Sequence, residues 1–563
     1  MHKGVSPHRI DRRSGDASVP IEMRRSGKPV ETGSNVSTRE IEEAIRVMNA
    51  VSSHSFSRVR APSLRSKIMT AKEAAALIPT GARVGMSGFT GSGHPKEVPI
   101  ELARRIQATH AHGDPFKISV WTGASTAPEL DGALAKANAM EMRLPYQSDP
   151  VCRRRINAGE MEYTDIHLSH VAQYAQFGFL GKLDFAVIEV AGIREDGALI
   201  PSSSVGNNEA WLETAERIIL EVNSWQSPAL EGMHDIYAYT DRPPNRRPIP
   251  LMAAGDRIGE PYFRCDPNKI VAIVETHAAD RNTEFTPPDA VSQAIAEHIL
   301  DFFDCEVRHG RMPKNLLPLQ SGVGNIANAV MAGLEKGTYE GMTAYTEVLQ
   351  DGMLHLLRSG KLTMASATAL SLSDHAMKEF LADVDFYRER IVLRPQDISN
   401  HPEIIRRLGI IAMNGMIEAD IYGNVNSTHI AGTSIMNGIG GSGDFARNAY
   451  TSIFMTPSTR KNGAISCIVP MVTHVDHTEH DVQVIVTEQG MADLRGLSPK
   501  ARARVIIDNC AHPDWQPALN EYLDLAMRLS PGRHTPHLME EAFSFLPKWK
   551  AAGARRVSGD EPV

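Results

Sequence analysis

Cysteine, aromatic residues and long apolar runs are all scarce in this chain, and each scarcity closes off a class of function. Its five cysteines, Cys152, Cys265, Cys305, Cys467 and Cys510, are scattered along 563 residues without one C-x-x-C pair. That spacing argues against a zinc ribbon, a dithiol redox centre and a disulfide framework, and it suits a reducing compartment. No stretch approaches the roughly 18 to 20 uninterrupted apolar residues that a membrane-spanning helix needs. Positive charge is also short: 59 Lys and Arg stand against 67 Asp and Glu, for a formal charge of -8. A nucleic-acid groove or an anionic membrane patch would call for a concentrated basic field. The expected partner is therefore a small molecule, with no nucleic acid and no membrane. The first residues lack the apolar core of a secretory signal. Asp11, Asp16 and Glu22 interrupt their basic character, which a mitochondrial presequence would keep. Residues 1–62 are expected to be a disordered extension and the protein to be cytoplasmic, with the mitochondrial matrix as the alternative.

What is present is the grammar of an α/β protein. From about residue 65, short β-rich runs alternate with helical patterns: ARVGMSGF, then PKEVPIELARRIQ, then FKISVWTGA. Buried strands are read at DFAVIEVAGI, ERIILEVN and NKIVAIVET, each rich in Val and Ile and too short for a helix. Parallel strands with helices on both faces follow from that rhythm. Two prolines in EFTPPDA punctuate the chain, and Asp289 can cap a helix along which Val291, Ile295, Ile299 and Phe302 keep the helical period. A boundary is placed there, giving one α/β domain over 63–283 and a second over 284–530, with a short helix and polar tail over 531–563. The second half restarts with LLPLQSGVGNIANAVMAGL and continues through AISCIVPMV and VQVIVTEQGMADL, which suggests a duplicated architecture.

Several polar tracts interrupt this pattern. Gly88-Phe-Thr-Gly-Ser-Gly-His-Pro95 lies between a strand and a helix, where backbone N–H groups can line an anion or a thin chain; glycines also simply make tight turns. Gly322-Val-Gly324-Asn325-Ile-Ala327 resembles a dinucleotide fingerprint, with Glu347 at the distance of a ribose-binding acid. Glu347 sits, however, in Tyr345-Thr-Glu-Val-Leu-Gln-Asp351, a polar cluster that ribose binding does not need. In residues 421–454, Asn, Ser, Thr and Gly replace the apolar residues of a core, and such sequence costs stability unless it shapes a site. Gly440-Gly-Ser-Gly443 within it can bring donors to a reacting carbonyl oxygen. His474 to Asp481 holds three imidazoles and three carboxylates, but it joins two strand-like runs and reads as a polar turn whose side chains alternate in direction, so no metal is expected. Arg460 and Lys461 read as solvated loop charges unless a phosphate approaches them.

Taken together, GFTGSGHPKEVP, NSWQSPALEGMHDIY, SGVGNIANAV, YTEVLQDG, RPQDISNHPEIIRRLG, DIYGNVNSTH, NGIGGSGDFARNAY and VTEQGMADLRGLSP resemble the acetyl-CoA hydrolase/transferase family, a branch of the class I coenzyme A transferases. The resemblance spans about residues 65–530. It implies two open, mostly parallel α/β domains with the active site between them, agreeing with the pattern. It also implies transfer of coenzyme A from a short-chain acyl-CoA to a free carboxylate, or acyl-CoA hydrolysis at the same site. No tightly bound cofactor is then expected, coenzyme A being a substrate, and a homodimer is the expected assembly. The resemblance makes Glu347 the nucleophile, with Asn400 and Gly441 as donors to the thioester oxygen. It assigns Lys461, together with Gly322, Gly324, Asn325 and Gly441, to coenzyme A, and Arg281, Glu488 and Thr90 to the substrate site.

Overall fold

The computed structural model describes residues 58–545 apart from 125, 126, 239, 240, 283 and 285. The first sheet is built from β1 (Arg83–Met86), β2 (Ile118–Trp121), β3 (Met140–Leu144), β4 (Glu162–Tyr163), β5 (Phe185–Ile193), β6 (Leu199–Pro201), β7 (Arg217–Asn223) and β8 (Ile270–Thr276). Its order is β4-β3-β2-β1-β5-β7-β8, parallel throughout, with β6 antiparallel on β5. The second sheet contains β9 (Leu319–Ser321), β10 (Met342–Tyr345), β11 (Leu362–Ala367), β12 (Ile391–Leu393), β13 (Ile411–Gly415), β14 (Thr451–Met455), β15 (Val484–Thr487) and β16 (Gly490–Asp493). Their order is β12-β11-β10-β9-β13-β14-β15-β16, with only the last pair antiparallel. Both sheets start at a central strand, step outward through three strands, return to the other side of the first and step outward again. The duplication expected from the sequence is thus present as topology.

Such a winding opens a crevice at the carboxyl ends of the strands where the order reverses, between β1 and β5 and again between β9 and β13. The loop Gly88–His94 follows β1, and the loop Gly322–Asn325 follows β9. Strand β5 shows why the sheets are buried on both faces. Ala186 and Ile188 join a large apolar cluster that also takes in Leu319, Met413 and Val486 of the second sheet, whereas Phe185 and Val187 pack into a separate cluster with Val98 and Leu102 of the helix Val98–Ala111. The chain passes from one sheet to the other along the helix Ala290–Arg308, capped by the Asp289 side chain accepting from Ser292 N at 2.7 Å.

Three expectations change. Residues 1–57 of the expected extension lie outside the described residues, but 58–62 are packed: Val59 is buried and bridges to Ile193. AISCIVPMV is not one continuous strand and joins neither large sheet. Its residues split between the pairs Ile465–Ser466 and Ile468–Val469, the first in a hairpin and the second against Ala419–Asp420. Pro470, with no N–H, then ends the pairing. Residues 531–545 form turns, and the rest of the expected helix and tail, 546–563, lies outside the described residues.

The turn after β1 is locked by buried charge. Lys96 Nζ meets Glu189 Oε2 at 2.6 Å and Asp280 Oδ1 at 2.8 Å, while Glu221 accepts from the N–H groups of Lys96, Glu97 and Val98 at the start of the following helix. Burial disfavours the ammonium, but the attraction of Asp280 and Glu189 outweighs it and holds the pKa above the usual lysine range. Lys96→Met should therefore strand two buried carboxylates and lower stability by about 3–5 kcal/mol. Urea unfolding measures it, and a midpoint equal to that of the wild type would contradict the argument.

Candidate active site

Glu347 leaves the carboxyl end of β10 on a fixed backbone. The buried Tyr345 hydroxyl donates to Ile398 O at 2.6 Å, and the Glu347 carbonyl accepts from Thr368 N at 2.8 Å and Ala369 N at 3.2 Å. Asn400 closes the short helix Gln396–Ser399 that follows β12. That helix is tied to the first half of the chain, since Gln396 donates from N to Gly206 O at 2.8 Å and from Nε2 to Leu168 O at 2.9 Å. Asn400 Nδ2 donates to Glu347 Oε1 at 2.9 Å, and its own Oδ1 accepts from Ser399 Oγ at 2.9 Å. Gly441 completes the group at the start of the helix Ser442–Asn448. A Cβ there would fall 1.8 Å from Glu347 Oε1 and 2.5 Å from Asn400 Nδ2, so only glycine admits the carboxylate at this position.

The electrostatics follow from that enclosure. Burial pushes the Glu347 carboxyl up to about 7; the Asn400 hydrogen bond opposes the shift and the nearby Asp444 adds to it. Asp444 is itself raised to about 6 by burial, against the hydrogen bonds that it accepts from Ser169. Asp165, which accepts from Ile439 N at 2.9 Å in the glycine loop, is raised by burial to about 7. The site therefore holds carboxylates that ionise around neutrality.

The remaining residues of interest lie on several separate loops. Thr90, in the left-handed region at φ 52°, donates to Phe89 O at 2.6 Å and to Asn282 Oδ1 at 3.3 Å. Arg281 N donates to Gly91 O at 2.8 Å, and its largely exposed guanidinium meets Glu129 Oε1 at 2.8 Å. The structure thus brings Thr90 and Arg281 together, and Phe89 of the same loop joins an apolar cluster with Val348 and Ala369 beside Glu347. Gly322 and Gly324 form an open turn after β9 and Asn325 begins the helix Asn325–Lys336; the turn is joined to the Glu347 segment by Gln350 Nε2 donating to Gly322 O at 2.8 Å. Lys461 stands exposed at the tip of the hairpin Thr459–Arg460/Ile465–Ser466. Glu488 accepts from Ser458 N at 2.7 Å and from its hydroxyl; burial opposes its ionisation, but these hydrogen bonds prevail and hold it below the usual range. Neither Lys461 nor Glu488 touches the Glu347 trio.

Within His474–Asp481, His474 Nε2 meets Asp476 Oδ1 at 3.3 Å. His474 lies against His429 with tilted rings and centroids 3.8 Å apart, Asp476 accepts from Ser427 N at 2.6 Å, and the buried His477 meets Ser442 Oγ at 3.1 Å. Among the described residues, no three His, Cys, Asp or Glu side chains converge in a way that could hold a metal. Sequence reasoning passed over Asp444, Ser169, Asp165 and Tyr146, all of which pack around the glycine loop. Only Asp444, three positions beyond Gly441 in the same polar tract, carried a usable signal.

Comparison with known proteins places these residues in context. Residues 53–275 match the model of the acetyl-CoA hydrolase/transferase N-terminal domain and residues 377–523 that of the C-terminal domain. The chain is 50% identical to the succinyl-CoA:acetate CoA-transferase of Clostridium kluyveri, over 89% of this chain and 92% of that protein. It is 46% identical to the acetyl-CoA hydrolase of Schizosaccharomyces pombe, over 86% of this chain and 96% of that one. The crystal structure of RipA from Yersinia pestis shares the fold, with a TM-score of 0.63 at 24% identity, covering 82% of this chain and 98% of that one.

A carboxyl whose pKa rises from 4.5 in the unfolded chain to about 7 in the folded one contributes stability below pH 4.5 and loses it as pH climbs through 7. Glu347→Gln removes that loss, so the variant should unfold at higher temperature than the wild type at pH 8, the gap closing toward pH 5. Thermal unfolding at both pH values measures it; an unchanged gap would show that Glu347 is not destabilised by burial.

Proposed function

This chain belongs to the acetyl-CoA hydrolase/transferase family, and within that family we propose that it is a CoA-transferase acting on short-chain acyl-CoA and a free carboxylic acid, with Glu347 as nucleophile. The observation that carries the reading is the position of Glu347: a carboxylate partly stripped of water, held at one oxygen by Asn400 and pressed against the backbone of Gly441. Desolvation raises the basicity of a carboxylate and shields the reactive acyl compounds it forms.

In the proposed mechanism, ionised Glu347 attacks the thioester carbonyl. Asn400 Nδ2 and the Gly441 N–H meet the oxyanion, the C–S bond breaks, and coenzyme A thiolate leaves behind a mixed anhydride. The thiolate then attacks the glutamyl carbonyl of that anhydride, the C–O bond breaks, and the first acid departs as its carboxylate. The acceptor carboxylate attacks the resulting glutamyl thioester, and the thiolate returns to the acceptor's carbonyl, regenerating Glu347. The thioester bond is conserved, so the scheme requires neither nucleotide triphosphate nor metal. The open turn of Gly322 and Gly324, with Asn325 and the exposed Lys461, is assigned to coenzyme A. Arg281 is assigned to the acceptor carboxylate, which a guanidinium can take in two parallel hydrogen bonds, with Thr90 and Glu488 lining the site.

A second reading, hydrolysis at the same site, is favoured by the name of the S. pombe relative. One assay separates them: free thiol is followed with acetyl-CoA alone, and acyl-CoA exchange is followed after adding succinate or propionate. Little thiol without acceptor and ready exchange with it are expected. Full-rate thiol release with no exchange for any short-chain acid would establish hydrolysis instead. Glu347→Gln should still bind coenzyme A but lose at least about a thousandfold in transfer rate, the scale of several kcal/mol of transition-state stabilisation; a loss under about tenfold would remove Glu347 from the role.

A further inference from the structure

The donor end of Asn400 faces Glu347, and nothing in an isolated side-chain amide fixes that orientation, because its two ends have nearly the same shape. The structure fixes it from both ends. Ser399 Oγ donates to Oδ1, while Nδ2 lies between two carboxylates, Glu347 Oε1 at 2.9 Å and Asp444 Oδ2 at 3.5 Å. Asp444 is buried and clamped in turn: it accepts from Ser169 N at 3.0 Å and from Ser169 Oγ at 2.6 Å. Ser169 lies in the first turn of the helix Leu168–Gln176, whose own N-cap, His167, makes no side-chain capping bond. A carboxylate from the second half of the chain thus caps a helix of the first.

We infer that Asp444 is a positioning residue for the reaction: held by Ser169, it keeps the N–H end of Asn400 turned toward Glu347. Its carboxylate also sits across that amide from the Glu347 carboxylate, where like charge opposes ionisation of Glu347. This role deepens the reading of Glu347 as nucleophile and rests on it. The other titratable or charged groups around the pair are Tyr146, after β3, His167 and His170, at the start of the helix, Asp165, beside Tyr146 and the glycine loop, and Arg447, on the helix of Asp444 itself. Burial pushes the Tyr146 phenol up and both imidazoles down from their ordinary values, so none of these three carries charge at neutral pH. Asp444 is the charge that acts on Glu347.

Asp444→Asn tests the charge with little loss of packing, since the amide can accept from Ser169 N and donate to Ser169 Oγ. The acid limb of the kcat/KM profile for acyl-CoA, which reports the free enzyme's ionisation, should move to lower pH by about half a unit or more. At pH 8, kcat should fall about tenfold while KM for acyl-CoA stays within about twofold. Ser169→Ala, which keeps the backbone N–H but loses the hydroxyl, should lower kcat in the same direction but less, and Ser169→Thr should restore it. Borohydride trapping of the wild type with acyl-CoA separates the layers. Label on a residue other than Glu347 overturns the nucleophile and this role with it. Label on Glu347 with an unshifted acid limb in Asp444→Asn overturns the role alone, even if stability or KM has changed.

Discussion

A carboxylate out of water, lodged against a backbone with no room for a side chain, is the constraint to which the rest of this structure answers. Glu347 is held at one oxygen by an amide and abutted by Gly441 so closely that a single added carbon would occupy the place of its Oε1. Left alone, such a group would protonate or turn outward. It stays because its backbone is pinned between Thr368 and Ala369, and because the two segments that enclose it are anchored elsewhere. The carboxyl that results titrates near neutrality.

The anchors explain why two sheets are needed. The Asn400 helix hangs from Gly206 and Leu168, and the glycine loop is fastened to Asp165 at Ile439 and to Ser169 through Asp444. Each of these holding points belongs to the first sheet's half, whereas Glu347, Asn400 and Gly441 belong to the second. The identical winding of the sheets puts a crevice at the carboxyl ends of both, and the loops after β1 and β9 are correspondingly rich in glycine. The buried Lys96 triad then holds the first of these loops, and Phe89 carries its contact to the residues beside Glu347.

The parts of this arrangement written in local sequence could be read from it. Val- and Ile-rich runs bounded by polar turns identify β5, β7 and β8, and Asp289 announces its helix, because strand burial and capping are short-range. The glycine tract declared itself by being too polar and too costly to be a core. Other features escaped. AISCIVPMV has a strand's composition, but its pairing is decided by neighbours that composition does not name. Asp444 and Ser169 are 275 positions apart, and no spacing rule joins them. Lys461 and Glu488, assigned through resemblance, carry no mark of a site in their surroundings here, since one is solvated and the other is bonded to Ser458.

The cross-half fastening of the glycine loop also bears on how such a chain can be divided. A polypeptide cut between Thr276 and Leu319 would separate the first sheet from the second while leaving each strand order complete. Neither fragment would be self-sufficient. The upstream piece would lose the carboxylate that caps its helix at Ser169 and would expose the apolar side chains that Ile188 and Leu220 share with Leu319 and Met413. The downstream piece would keep Glu347, Asn400 and Gly441 in sequence but lose the supports that hold them in register. A split version of this protein would therefore exist as an obligate pair of unlike subunits, assembling as it folds, with Glu347, Asn400 and Gly441 on one subunit and the scaffold that sets their geometry on the other.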